Sequence, residues 1–371
     1  MTTENEAQPS PAQPDVEPVS KGYSNYVLGV LFLVYVFNFV DRQVLSILLV
    51  PIKTDLGVSD TFMGFLTGFA FVIFYTFAGI PIARFADRSS RRAVIAAGLV
   101  VWSSMTAASG LARTGWHLAL ARVGVGIGEA AGTPPSHSLL SDYFGPKRRA
   151  TALAVYAMGV YVGVAGAFTL GGWIGSHFGW RSVFIAVGLS GIPLALLVRG
   201  TIRELPRGFS EPEPVPHVDP LPFGQAVGQL MRNRSLVLIV LATSLQSLFG
   251  YGMLTWGPAF LMRVHGMGLV EVGMTLGIAI GVLGASGCYI GGRWADSLVH
   301  KKQDERWYMR LPAIQTAALV PFAIGFILIE DRTWALICFC PMYLLGAMYV
   351  GPMHSTIQGL VVPSLRATAW P

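Results

Sequence analysis

Long apolar runs, broken at intervals by short clusters of Arg, Lys, Asp and Pro, set the pattern of this chain. About 20 mostly apolar residues are enough to cross a bilayer core. Ten such runs occur, at 25–49, 61–83, 93–112, 116–141, 150–175, 180–199, 235–261, 271–294, 312–329 and 334–360. Unpaired backbone groups are costly in hydrocarbon, so each run is predicted to be a helix. The short alternating segments of a membrane barrel are absent. Residues 1–23 open with a Pro-, Glu- and Gln-rich stretch and are expected to be a disordered tail. They lack the basic start and apolar core of a cleaved signal peptide. The Pro-rich stretch inside 201–234 reads as a linker. The expected architecture is therefore an all-α polytopic membrane protein. A six-helix bundle spans 24–200, and a second bundle over 235–371 holds helices 7–10 only.

Composition narrows the class. Hydrophobic residues make up 53% of the 371 and charged residues only 12%, about half the charged share of a soluble domain. A soluble enzyme, a disulfide scaffold and a nucleic-acid binder are excluded on that ground. The 43 Gly and 23 Pro fit membrane helices, where both are enriched. Cys288, Cys338 and Cys340 lie in apolar runs and read as packing residues.

The net charge of +6 is mostly topology. With the N-terminus inside, 19 of the 26 Lys and Arg fall in cytoplasmic segments and 5 outside. That bias places the N-terminus in the cytoplasm. Only Arg42 and Arg122 remain within spans.

The two halves repeat one another. Shifted by 209, Gly57, Gly64, Gly68, Arg84, Ala86 and Asp87 fall on Gly266, Gly273, Gly277, Arg293, Ala295 and Asp296. Shifted by 217, Pro135, His137 and Ser138 fall on Pro352, His354 and Ser355. His137 and His354, kept in both copies, read as structural. Parallel repeats of a helical bundle are one way transporters are built, with the site between the halves. After Ala152 the first copy continues for two spans, whereas after Ala369 only Trp370 and Pro371 remain. Helices 11 and 12 are thus expected to be missing, and a complete chain to be roughly 50 residues longer.

Four charged residues lie deep in spans: Asp41, Arg42, Arg122 and Glu129. Each costs at least about 2.5 kcal/mol on insertion scales, so such residues normally face a cavity. Depth along helices 1 and 4 lets Asp41 pair with Arg122. Glu129 is then left about 10 Å deeper, on the same face of helix 4 as Arg122. Arg42 points about 100° away from Asp41 around helix 1. The positions matching these four in the second half are Gly250, Tyr251, Phe339 and Gly346. The repeat copied the scaffold and not the charges. This favours a charged site in the first half against an apolar wall from the second, suited to a substrate with one charged head and one tail. Asp41 and Glu129 are the candidate proton carriers. Arg122 and Arg42 are candidates for an anionic head, and Asn38, Thr133, Gln246, Tyr251 and Trp256 are further cavity candidates. A second cluster, Asp87, Arg88, Arg91 and Arg92 with Arg293 and Asp296, reads as a gate at the cytoplasmic end. No nucleophile elbow, phosphate loop or metal-ligand cluster appears, so no catalytic residue, metal or cofactor is expected.

The Asp87, Arg88, Arg91, Arg92 pattern after helix 2 resembles the loop signature of the major facilitator superfamily. The strings FNFVDRQVLS (37–46), ARVGVGIGEAAGTPPSHSLLSDYF (121–144), KRRATALA (147–154) and FGWRSVF (178–184) resemble more narrowly the spinster family. The likeness covers about 24–370 and is strongest to bacterial homologues, which implies a bacterial inner membrane. Two departures stand out: Ala83 replaces the usual glycine of the loop signature, and helix 5 lacks the Gly-Pro step of many antiporters. The resemblance implies a monomeric transporter of lysophospholipid- or sphingosine-phosphate-like amphiphiles, working by alternating access, with protons and membrane lipids as its other partners. Export of small organic anions or drugs is the alternative within the class, and a non-transporting lipid sensor the alternative outside it.

Overall fold

The computed structural model describes residues 19–210, 228, 231–353 and 356. Most of the tail and linker expected from sequence, and the stretch around His354, lie outside the described residues. Within them the chain forms α1 (Lys21–Ile47), α2 (Leu49–Leu56), α3 (Asp60–Thr67), α4 (Phe69–Arg88), α5 (Arg91–Ser109), α6 (Gly115–Glu129) and α7 (Thr133–Tyr143). It continues with α8 (Pro146–Ala157), α9 (Gly159–Phe178), α10 (Trp180–Thr201), α11 (Arg234–Val264), α12 (Leu269–Lys302), α13 (Trp307–Leu328) and α14 (Arg332–Ala347). Among the described residues nine stretches are long and apolar enough to cross a membrane.

The fourth expected span, 116–141, is not one helix. It breaks between Glu129 and Thr133, where Pro134 and Pro135 open α7. Proline lacks an N–H, which costs nothing in a helix's first turn but would break the interior of a continuous one. The second span divides at Gly68 and the fifth at Met158. Helix α2 and its left-handed end at Gly57 (φ 63°) were not anticipated; glycine supplies that conformation without steric cost. Side-chain caps start several helices: Ser20 accepts from the Tyr23 N–H, Thr114 from His117 and Asn233 from Leu236.

Apolar side chains cover the outside. Phe77 is 73% exposed and Leu248 71%, as lipid-facing residues are in helices that bury polar groups internally. Helix α1 packs on α9 and α10 and also meets α11. The main seam between the first ten helices and the last four is α9 against α12. Glycines permit it: a Cβ on Gly273 would lie 2.3 Å from the Phe168 carbonyl, and one on Gly277 2.7 Å from Thr169 Cγ2. Small residues are what allow helix backbones to approach this closely. At the bundle end that holds α2, the Asp60 carboxylate accepts from Lys53 Nζ at 2.6 Å and from Arg263 Nη2 at 2.7 Å. The second of these ion pairs crosses the seam.

Candidate functional site

The sequence GVGIGE (124–129) determines how α6 sits. A Cβ on Gly124 would lie 2.6 Å from Met105 Cγ, one on Gly126 2.8 Å from the Phe71 carbonyl, and one on Gly128 2.6 Å from the Trp102 nitrogen. Helix α6 is therefore wedged between α4 and α5, and it presents Arg122 and Glu129 toward α1.

All four intramembrane charges meet there. Arg122 Nη1 donates to Asp41 Oδ1 at 3.2 Å and to the Asp41 carbonyl at 3.4 Å. Arg42 Nε donates to Glu129 Oε2 at 2.6 Å. Glu129, expected from sequence to stand apart deeper in the membrane, is thus paired. The reason is reach: Arg42 does leave α1 in a different direction from Asp41, and its long side chain spans the depth between them. The side chains of Asp41, Arg122 and Glu129 are 2%, 3% and 0% exposed, and only Arg42 retains 15%. Ionised, the quartet carries no net charge, which is the condition for holding four charges out of water.

Aromatic rings wall the Arg42 side. Its guanidinium lies 4.7 Å from the Tyr75 ring centroid, 4.9 Å from Phe71 and 5.3 Å from Phe39, within cation–π range. Tyr251 of α11 is half exposed and interacts electrostatically with Arg42. Tyr35 stacks on Tyr156 at 4.3 Å, and Tyr156 in turn interacts with Thr133 and Ser136. Asn38 is buried beside this group, and neither of its amide atoms has a hydrogen-bond partner among the described residues. The same holds for Glu129 Oε1 and Arg122 Nε. Buried polar atoms with spare hydrogen-bonding capacity mark where a polar ligand would be met. Gln246 is half-buried on α11. Trp256 packs toward Gly64, one turn of α3 from Asp60.

The second predicted cluster is divided between the halves. Arg91 is 1% exposed. It donates to Asp142, to Glu204 Oε1 at 2.7 Å, to Ser138 Oγ at 2.9 Å and to the Leu205 carbonyl at 2.6 Å. Arg92 uses its backbone N–H on Glu204 Oε2 at 3.1 Å and its guanidinium on the Ile202 carbonyl at 2.8 Å. Burial pushes the Glu204 carboxyl up, but donation from Arg91, the Arg92 N–H and Ser90 outweighs it and holds the group below its ordinary value. Arg88 is exposed, and the Asp87 side chain lies outside the described residues. In the other half Arg293 leans on Tyr289 and Asp296 accepts from Tyr308 at 2.9 Å. At this arginine-rich end Arg91, Arg92, Arg293 and Asp296 thus have partners within their own halves.

Sequence reasoning missed Thr106, whose hydroxyl donates to Asp41 Oδ2. Its signal was the spacing of Ser103, Thr106 and Ser109 along one face of an apolar helix; all three are buried. It also missed Glu204, an acid in the segment expected to be linker.

The profile of the Major Facilitator Superfamily matches residues 31–369. A protein described as an MFS-type efflux pump of Mycolicibacterium smegmatis is 38% identical over 348 residues, 92% of this chain and 78% of that one. Protein spinster homolog 3 of Danio rerio is 26% identical over 259 residues, 69% of this chain and 51% of its own length. The crystal structure of a bacterial homologue of the human lysosomal transporter Spinster, inward-facing and unoccupied, superposes with a TM-score of 0.84. Its sequence is 34% identical, and the match covers 95% of this chain and 78% of that one.

Proposed function

This chain belongs to the major facilitator superfamily and shares the fold of a bacterial spinster homologue, and we propose that it moves an amphiphile with an anionic head, of the lysolipid class, by proton-coupled alternating access. The observation that carries this reading is the buried, charge-balanced quartet of Asp41, Arg42, Arg122 and Glu129. An anionic head cannot compete for a guanidinium that already holds a buried carboxylate. Once the carboxylate takes a proton, the arginine is left with an unpaired charge in a low-dielectric site, and an anion restores the balance. Proton uptake and head-group binding thus favour one another. Asp41 and Glu129 are the proton carriers; Arg122 and Arg42 receive the head; Asn38, Thr133, Gln246 and Tyr251 line the cavity around them. Trp256, near the Asp60 end, belongs with the closure there.

Alternation is supported by the uneven seam. Asp60 and Arg263 join the halves at one end, while Arg91, Arg92, Arg293 and Asp296 are occupied within their own halves at the other. The excess of basic residues assigns the arginine-rich end to the cytoplasm. The gate role of Arg88, Arg91, Arg92, Arg293 and Asp296, with Asp87, then belongs to the state in which that end closes.

The test is flux of a labelled lysophospholipid into proteoliposomes, with and without an imposed pH gradient. Gradient-dependent accumulation is the expected result. Binding without accumulation would instead make the protein a lipid sensor. The small-anion reading draws on the quartet itself, which needs no tail on its ligand. Competition by lysolipids of increasing acyl length separates the two, since only an amphiphile site gains affinity with chain length.

A further inference from the structure

The two acids of the quartet are not equivalent. Asp41 has a donor on each oxygen: Arg122 Nη1 on Oδ1 at 3.2 Å and the Thr106 hydroxyl on Oδ2. Glu129 has one donor, Arg42 Nε on Oε2, while its Oε1 has no partner among the described residues. We infer that Thr106 is a positioning residue that favours the ionised form of Asp41 over that of Glu129, so that Glu129 takes up the first proton. The inference rests on reading the quartet as a proton-exchanging site and assigns the order of exchange within it.

Donors on both oxygens favour the ionised form of a carboxylate. To protonate Asp41, either Arg122 must let go or the Thr106 hydroxyl must turn round and accept. Glu129 can take a proton on Oε1 with every present contact kept. Thr106 is also fixed in place. It is 0% exposed, and α10 presses its helix from behind through Gly188 and Gly191. A Cβ on Gly188 would lie 2.3 Å from the Ala107 nitrogen, and one on Gly191 2.0 Å from Ser103 Oγ. The hydroxyl therefore holds its register against α1.

The groups facing Asp41 are few. Helix α6 brings Arg122 and Glu129, and α1 itself brings Arg42. Helix α4 contributes Phe71 and the Tyr75 phenol, and α11 the Tyr251 phenol, all gathered on Arg42. Helices α9 and α10 meet α1 near this depth through Gly163, Gly166, Gly171 and Val183. Helix α5 offers hydroxyls and no charge. Thr106 is thus the neutral group whose removal alters Asp41 without altering the charge count.

The experiment is pH-resolved infrared difference spectroscopy of the full chain in lipid nanodiscs. It follows the carboxylic-acid C=O bands, assigned by their loss in Asp41→Asn and Glu129→Gln. In the unaltered protein the Glu129 band should appear first as pH falls. Thr106→Val should raise the Asp41 midpoint by about 1–2 pH units, the size of a hydrogen bond to a charged group, and move Glu129 less. Thr106→Ser, which keeps the donor, should restore the original order. Thr106→Cys, a weaker donor, should fall between, and the Ser-to-Cys comparison decides the matter if the Val variant does not fold. The inference is overturned if Asp41 protonates before Glu129, if Val leaves the Asp41 midpoint in place, or if Ser behaves as Val. The readout needs no substrate, so a failed flux assay with this titration order intact would sink the transport reading alone.

Discussion

Arg42 and Glu129, 87 residues apart in sequence, are joined at 2.6 Å in the interior of the bundle. The contact turns what would be an isolated acid into half of a pair. It also links α1 to the last turn of α6, just before the break that opens at Ala130. A change in the charge of Glu129 therefore acts on a point where the backbone already departs from the helix.

Glu129→Gln should end gradient-driven transport while leaving the fold in place, since glutamine matches glutamate in size and still accepts a hydrogen bond from Arg42. Flux measured across a range of external pH should lose its pH dependence. Accumulation that still follows the proton gradient would remove Glu129 from the coupling.

The same pair predicts a stability cycle. Arg42→Met alone leaves Glu129 buried without its partner, a loss of about 3–5 kcal/mol for a fully buried pair. The double variant Arg42→Met with Glu129→Gln should recover most of it, because no uncompensated charge remains. Thermal unfolding of the four proteins in one detergent reads the coupling directly. Additive losses would mean that the two side chains do not stabilise one another.

Much of this site was legible in the sequence because charge inside an apolar run is rare and costly. Asp41, Arg42, Arg122 and Glu129 stood out for that reason, and the Asp41–Arg122 pairing followed from counting residues along two helices. The Arg42–Glu129 pairing did not, because helical angle alone ignores how far an arginine side chain extends. Thr106 was hidden for a different reason. A hydroxyl in a membrane helix can satisfy itself on its own backbone, as Thr169 does on the Ala165 carbonyl, so its presence does not announce a partner. The break after Glu129 was readable in Pro134 and Pro135, yet hydropathy over 116–141 conceals it. Glu204 looked like part of a solvated linker, since nothing local shows that Arg91 folds back onto it.

The Asp60–Arg263 pair should bias the conformational equilibrium only slightly. Both side chains are more than a third exposed, and exposed pairs contribute about 0.2–1 kcal/mol. Asp60→Asn should therefore raise the population open at that end by about 1.4- to 5-fold, with the effect shrinking in high salt. Leu66→Cys, in a background lacking Cys288, Cys338 and Cys340, provides a buried reporter in the apolar closure beneath the pair. Its labelling by an impermeant maleimide should speed up in the Asn variant. Restoration by the exchange Asp60→Arg with Arg263→Asp would show that the pair itself is responsible, and unchanged labelling would show that the apolar contacts alone hold this end.

Gly188 and Gly250 make a matched comparison. A methyl group on Gly188 meets the backbone of Ala107 at 2.3 Å, whereas one on Gly250 has nothing within 4 Å. Gly188→Ala should force α10 away from α5 at a cost of about 1–3 kcal/mol, the range for overpacking a close contact. Gly250→Ala should be neutral or slightly stabilising, since alanine is the better helix former. Apparent Tm values in detergent measure both. Equal effects would mean that helix propensity, and not the α5–α10 approach, governs the first position.

Glu204 gives the arginine-rich end a pH dependence of its own. Its carboxyl is held below the ordinary value by Arg91, the Arg92 N–H and Ser90, working against burial. A group whose folded pKa is depressed adds stability at pH above its unfolded value, about 4.3 for glutamate. That stability is lost as pH falls through the folded value, where the protonated acid no longer holds the guanidinium. Between pH 5 and 8 the contribution is fully present, so Glu204→Gln should lower the apparent Tm throughout that range, by an amount that shrinks as the pH is taken below about 4. Segment 202–210 should loosen in parallel, because Arg91 and Arg92 also hold the Leu205 and Ile202 carbonyls. Proteolysis near Arg207, followed across pH in the two proteins, tests this. Cleavage should be faster in the Gln variant at neutral pH and converge with the parent in acid. Identical cleavage at every pH would show that the backbone contacts alone dock the segment.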